Sequence, residues 1–229
     1  MKTKKTVVVT GSSSGMGFEI AKKFLFNGYE VHGIDILPHR IESESYFHYI
    51  CDVSKDKLPD IPDCNILINN AGVQTATWDM RGDRKDMDVN FFGVVRCTEQ
   101  YALDNPEIQS VLNQASTSAI NGSEFAIYAA SKAAVVNYTI WTSHQIAKYG
   151  ATCNSLSVGG VDTALNDPVM RDKDCWEKIM MLTPLQKWAQ AEEIADWAYF
   201  MTAVNKSCSG QNIVIDNGES HPDTFVWNM

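Results

Sequence analysis

The sequence predicts an α/β chain: one doubly wound, mostly parallel sheet of about seven strands with helices on both faces. Three observations point there. Short apolar runs alternate with segments of helical period from one end to the other, the pattern of parallel strands joined by crossover helices. A glycine-rich turn, Gly11-Ser-Ser-Ser-Gly15-Met-Gly17, stands between the first apolar run and the first helical segment. The 229 residues, 45% of them apolar, suit one full core, so residues 1–229 read as a single domain.

The elements follow in order. Residues 6–10, with Val7-Val8-Val9 at their centre, read as a buried strand. Residues 15–27 read as a helix, with Gly28 just past its end where a left-handed turn is wanted. Strands are predicted over 29–34, 47–51 and 65–68, then a long helix over 83–103. A strand over 108–115, a helix over 126–149 and a strand over 151–157 come next. A helix over 192–202 and a strand over 212–215 close the chain. Right-handed crossovers make such a series a doubly wound sheet. Residues 162–185 fit neither period and carry Met170, Trp176, Met180, Met181 and Leu182 among charges. They are read as a mobile helical lid.

Net charge is −9, which argues against nonspecific binding to nucleic acid or an anionic membrane. The six cysteines are scattered with no C-x-x-C spacing, so no zinc site, no other metal site and no redox dithiol is expected. They read as reduced thiols of a cytoplasmic protein, mostly packing as small hydrophobes. The basic start of the chain runs straight into the first strand without the apolar stretch of a signal peptide, and no run is long enough to span a bilayer.

The glycine turn suits a pyrophosphate. Gly11, Gly15 and Gly17 let backbone approach closely, and the amides around Ser13, Ser14 and Met16 at the helix start attract phosphate oxygens. Asp35 ends the second strand, eighteen residues beyond Gly17. A carboxylate there accepts hydrogen bonds from an adenosine ribose and repels a 2′-phosphate, which favours NAD(H) while leaving NADP(H) possible, with His39 and Arg40 close by. Asp52, followed by Val53, would either bind the adenine amino group or cap a turn. Asn69-Asn70-Ala71-Gly72 reads as a turn ending the fourth strand, small enough to let a cofactor lie against it.

Tyr128 and Lys132 stand four apart on the helix predicted over 126–149, hence on one face. A cation beside a phenol favours phenolate. At ~5 Å and an effective dielectric of ~20 the interaction is worth roughly 3 kcal/mol, enough to bring a tyrosine from about 10 toward working pH. Proton transfer is efficient there.

These motifs, in this order, resemble the short-chain dehydrogenase/reductase family in its compact form, over nearly all of residues 6–218. The match runs through 10–17, Asp52, Asn69 to Gly72, Asn90 in Asp88-Val-Asn-Phe-Phe-Gly93, Ser116, Tyr128-x-x-x-Lys132, 154–163 and 210–218. The resemblance implies a Rossmann-type fold and four catalytic residues. Tyr128 would act as general acid in reduction and base in oxidation. Lys132 would tune it and hold the nicotinamide ribose. Ser116 would polarise the substrate carbonyl, in preference to neighbouring Ser118. Asn90 would position water in a proton relay, or mend a break in its helix. The resemblance also places Val161 and Thr163 beside the nicotinamide, and implies a homotetramer through the helices over 83–103 and 126–149.

The chain departs from the family in four places. Val158 stands where proline is usual, Asn217 replaces a glycine, and the links from Asp35 to Asp52 and from Gly72 to Asn90 are short. The first of these links loses most of a peripheral helix. The sequence looks most like small bacterial 3-oxoacyl-(acyl-carrier-protein) reductases. Asp35 and the overall acidity argue against acyl carrier protein as partner, whereas Arg81, Arg84, Lys85, Arg96 and Arg171 would have to supply its docking patch. The expected activity is NAD(H)-dependent interconversion of a ketone and a secondary alcohol. The substrate would be partly apolar, given the lid, Trp78, Phe225 and Trp227. The alternatives are 3-oxoacyl-(acyl-carrier-protein) reduction with NAD(P)H and, in another class, a non-catalytic nucleotide sensor or scaffold.

Overall fold

A computed structural model of the chain describes residues 4–75, 84–123 and 125–220. Nine strands are found among them: β1 (Thr6–Thr10), β2 (Glu30–Asp35), β3 (Tyr46–Ile50), β4 (Cys64–Asn69), β5 (Ser110–Ser116), β6 (Thr152–Val158), β7 (Val161–Asp162), β8 (Ala189–Gln190) and β9 (Asn212–Ile215). Seven form the main sheet in the order β3-β2-β1-β4-β5-β6-β9, all parallel. The chain moves outward from β1 to β3, then returns to β4 beside β1. That reversal opens a crevice above the carboxyl ends of β1 and β4. The glycine turn follows β1 and the Asn70-Ala71-Gly72 segment follows β4, so both border it.

Each face of the sheet has its own core. Val7, Val9, Ile68, Leu112 and Leu156 pack with Ile20 and Phe24 of helix Gly15–Phe26 and Ile194 of helix Ala191–Tyr199. Val8, Leu67, Val111 and Cys153 pack on the other side with Cys97, Tyr101 and Ile146. Each such aliphatic side chain contributes about 1.5–3 kcal/mol by leaving water. Among the described residues no helix is long and apolar enough to cross a membrane. The cysteines pack as expected: Cys51, Cys64, Cys97 and Cys153 are buried and unpaired, and burial pushes the Cys64 and Cys97 thiols up to about 12.

Several local features explain the departures noted in the sequence. Residues 36–45 contain no helix, as the short link required. Val158 continues β6 in register with Ser116 and Ile215, and its carbonyl accepts from Thr117 N at 3.1 Å. Its own strand bonding takes the place of a proline's stiffness. Asn217 adopts φ +55°, a left-handed conformation that asparagine tolerates better than most residues.

The helix over 83–103 is described from Lys85 onward and is not uniform. It passes through π-helical segments at Asp88–Phe92 and Glu99–Leu103, flanking an α-helical Gly93–Thr98. Within 162–185 stand two helices, Asp167–Arg171 and Lys173–Leu182. The Asp172 carboxylate caps the second by accepting from Cys175 N at 3.1 Å. Trp176 meets Trp188 edge-on at 4.9 Å, and the indole of Trp188 covers Gly160, tying this region to the end of β6. Trp78, Arg81, Phe225 and Trp227 lie outside the described residues.

Candidate active site

The glycine turn is built for backbone contact. Gly11 takes φ +70°. A methyl group on Gly17 would stand 2.0 Å from Gly11 O and 2.4 Å from Asn70 Nδ2, so no side chain fits there. Asn70 holds the turn in place: its Nδ2 donates to Thr10 O at 3.1 Å and Gly11 O at 3.2 Å. Thr10 Oγ1 accepts from Asn70 N at 3.0 Å and Ala71 N at 2.9 Å. Helix Gly15–Phe26 begins at Ser14 without a side-chain cap, and an uncapped helix start is an anion seat.

A cavity of about 190 Å³ opens beside this turn, lined by Gly11, Asp35, Asp52, Val53, Ala71 and Gly72 among others. Asp35 lies at its rim, half-buried. Its Oδ2 accepts from Ser13 N and its Oδ1 from Leu37 N, both at 2.9 Å. The carboxylate therefore sits on two backbone donors that would otherwise suit a phosphate. Asp52 lines the cavity and also caps its own turn. Its Oδ1 accepts from Ser54 N at 2.9 Å and Ser54 Oγ at 2.6 Å, and Lys55 Nζ lies 3.3 Å from Oδ2. Burial pushes this carboxyl up, but the Ser54 hydrogen bonds and the Lys55 ammonium together hold it below its usual value. Both readings of Asp52 are thus compatible with its position.

Deeper in the crevice, Lys132 is 4% exposed, and its Nζ donates to the carbonyl of Gln114 on β5 at 3.0 Å. The same ammonium lies 5.7 Å from the centre of the Tyr128 ring. Asn90 is fully buried. Its Oδ1 accepts from Val73 N at 2.8 Å, while its Nδ2 donates to Val73 O at 2.9 Å and Ser131 Oγ at 3.0 Å. It therefore joins the helix over 85–103 to the segment after β4 and to the helix Ala126–Ile146. The π-helical turn carrying Asn90 is explained by this: a side chain committed to three tertiary bonds holds the local widening. A methyl group on Gly72 would stand 3.2 Å from Asn90 Oδ1 and 3.3 Å from Lys132 Nζ, which places all three together.

Ser116 ends β5. Ser118 donates to its Oγ twice, from N at 3.2 Å and from Oγ at 2.8 Å. Both Ser116 lone pairs are then taken, which leaves its hydroxyl proton as the group to be donated. Thr163 lies against Gly15, its Cγ2 3.6 Å from where a methyl on that glycine would be, so the segment after β6 meets the glycine turn. Val161 is buried in β7, and its carbonyl accepts from Asn166 Nδ2 at 2.8 Å.

The structure thus gathers Gly11 to Gly17, Asp35, Asp52, Val53 and Asn70 to Gly72 at one end of a crevice, and Asn90, Tyr128 and Lys132 at the other. Several participants were not assigned these roles from the sequence. Leu37, Val73, Lys85 and Val89 line the cavity, and Thr10 and Ser131 hold other site residues. Thr10, Val89 and Ser131 lie inside the motifs already described, but the contacts they make depend on tertiary placement and no spacing marks them. The basic side chains proposed for a carrier patch are partly committed. Arg96 donates to the carbonyls of Val53 and Asp56, and Arg171 pairs with Asp167.

A doubly wound sheet with this cradle, and with a buried lysine beside a tyrosine, defines a dinucleotide-dependent oxidoreductase. The family described as enoyl-(acyl carrier protein) reductase matches residues 11–220. The chain belongs to the short-chain dehydrogenase/reductase family. It is 26% identical to gluconate 5-dehydrogenase of Gluconobacter oxydans, over 92% of this chain and 93% of that protein. It is 24% identical to the 3-oxoacyl-(acyl-carrier-protein) reductase FabG of Rickettsia typhi, over 94% and 97%. Among solved structures, 4-hydroxyisoleucine dehydrogenase complexed with NADH superposes with a TM-score of 0.87 at 24% identity, covering 96% of this chain and all of that one.

Proposed function

We propose that this chain is an NAD(H)-dependent dehydrogenase/reductase that interconverts a partly apolar ketone and its secondary alcohol. The observation that carries the reading is the buried Lys132 ammonium, fixed on a strand carbonyl beside the Tyr128 ring and next to Gly72 and Asn90. The cradle fits a dinucleotide because a side chain at Gly17 has no room and Asp35 and Asp52 line one cavity. Gly11 to Gly17 would hold the pyrophosphate, Asp35 the adenosine ribose, and Asp52 and Val53 the adenine. Asn70 to Gly72, Val161, Thr163, Tyr128 and Lys132 would line the nicotinamide half.

The cofactor supplies or accepts the hydride. The chain does the rest. Ser116 donates its remaining proton to the substrate oxygen. Tyr128 delivers a proton to the oxyanion as it forms, and takes one back in oxidation. Lys132 stabilises the phenolate left behind. The Asn90 side chain is spent on Val73 and Ser131, which supports its role of mending the break in its helix more than that of holding a relay water. Asp35 favours NAD(H), since its charge occupies the two backbone donors a 2′-phosphate would use.

Exposed Phe92, Ile140 and Trp141 on the two long helices support assembly, and we infer a homotetramer. A monomeric mass in solution would contradict it. Residues 162–185 serve as the substrate lid, with Leu165, Met181, Leu182 and Leu185 exposed on it. The likeness to 3-oxoacyl-(acyl-carrier-protein) reductases supports a second reading, reduction of a carrier-bound 3-oxoacyl group. The commitment of Arg96 and Arg171 to internal partners weakens it. A nucleotide sensor would need the cradle alone, not a lysine buried beside a tyrosine. The test is a panel of ketones, alcohols and 3-oxoacyl thioesters followed by absorbance with NADH and NADPH in parallel. Turnover of simple ketones with NADH supports the first reading. Turnover only of carrier-bound substrates supports the second. Tight NADH binding without any turnover would leave the sensor.

A further inference from the structure

Gln114 is a buried amide with no present use. It is 4% exposed, and neither its Nε2 nor its Oε1 has a hydrogen-bond partner among the described residues. A buried carboxamide left unpaired is unfavourable and rare in a native strand. Strand alternation puts Leu112, Gln114 and Ser116 on one face of the sheet and Val111, Asn113 and Ala115 on the other. Leu112 belongs to the core on the side of helix Gly15–Phe26, so Gln114 points to the glycine-turn side. Asn113 pairs with Asn69, which sets Gln114 beside Asn70 at the end of β4, and Asn70 Oδ1 is likewise unpartnered. On the other side Gln114 pairs with Leu156 of β6, the strand whose end leads on to Thr163. Its own carbonyl anchors Lys132. Gln114 does not line the cavity of Asp35 and Asp52. It belongs to the catalytic end of the crevice.

Resting on the cofactor reading above, we propose that the Gln114 side chain is a binding group for the nicotinamide end of the cofactor. A primary carboxamide offers one acceptor and two donors, as does the carboxamide of nicotinamide, so the two are complementary. Turning the Gln114 side chain toward a ligand breaks no hydrogen bond. The adenosine end already has its own partners in Asp35 and Asp52.

The test compares NADH with ADP-ribose, which keeps the adenosine and both phosphates and lacks nicotinamide. Both are titrated against the wild type and Gln114→Met, which has similar volume and no amide, with the thermal midpoint of each unliganded protein recorded. The variant should bind NADH about tenfold more weakly, hold ADP-ribose unchanged, and melt no lower than the wild type, since it removes an unpaired buried amide. Gln114→Asn, which keeps the amide but withdraws it by one methylene, is the second variant and should show the same selective weakening. Equal NADH affinity in wild type and variants overturns the proposal, and so does a parallel loss of both ligands. A wild type that binds neither ligand overturns the cofactor reading itself, a result distinct from either.

Discussion

Replacing Asp35 with alanine should redirect cofactor choice, and the structure sets the scale. The carboxylate accepts from Ser13 N and Leu37 N at 2.9 Å each, and Asp35 lines the cavity. Hydrogen bonds to a charged acceptor contribute about 1.5–3 kcal/mol, so NADH binding should weaken by roughly tenfold to a hundredfold. NADPH carries a further phosphate of nearly two negative charges. At ~5 Å from the carboxylate, in a half-exposed site of effective dielectric ~40–60, the repulsion is about 2–3 kcal/mol. Alanine removes that repulsion and releases two N–H donors for the phosphate. The ratio of NADPH to NADH dissociation constants should therefore fall by at least about 30-fold. Titration of each nucleotide by its own fluorescence measures this without any substrate. A ratio that moves by less than about threefold would refute the assignment of Asp35.

Two further perturbations test the frame around the site. Asn90→Ala strips Val73 N and O of their partners and should lower stability by about 2–4 kcal/mol in denaturant titration, whereas a loss under ~0.5 kcal/mol would remove the splint role. Asp52 has a folded carboxyl held below its usual value, so it stabilises the fold above the unfolded value and that contribution disappears as pH falls through the folded one. Wild type should therefore melt above Asp52→Asn at neutral pH, and the gap should close in acid below about pH 4. A gap that persists or widens in acid would contradict the sign.

The framework was readable because its signals are local. β1 and β9 run over the residues expected of them: β1 is a fully buried strand, read as a short apolar run bounded by turn residues, whereas β9 is a partly exposed strand whose short Ile213-Val214-Ile215 run was enough to mark it. Other boundaries moved by one or two residues: β5 starts at Ser110 rather than 108, and β3 at Tyr46 rather than 47. The π-helical segments at Asp88–Phe92, Glu99–Leu103 and Phe200–Val204 were not readable as such: a break near Asn90 was one reading of that residue, but its form depends on a side chain reaching Val73 and Ser131. Nor were β7 and β8, since two residues carry no period. The site shows the same division. The glycine turn, Asp35 and the Tyr128–Lys132 pair follow from spacing. The Asn70 clamp on Gly11 and the bond of Lys132 to Gln114 exist only once strands β1, β4 and β5 lie side by side.

The central claim is that the phenol of Tyr128, tuned by Lys132, moves the proton. Tyr128→Phe removes one oxygen and leaves the cradle alone. NADH titration and single-turnover hydride transfer on the same sample should give unchanged nucleotide affinity and a transfer rate lower by about 10²–10⁴. Transfer within tenfold of the wild-type rate would contradict the account.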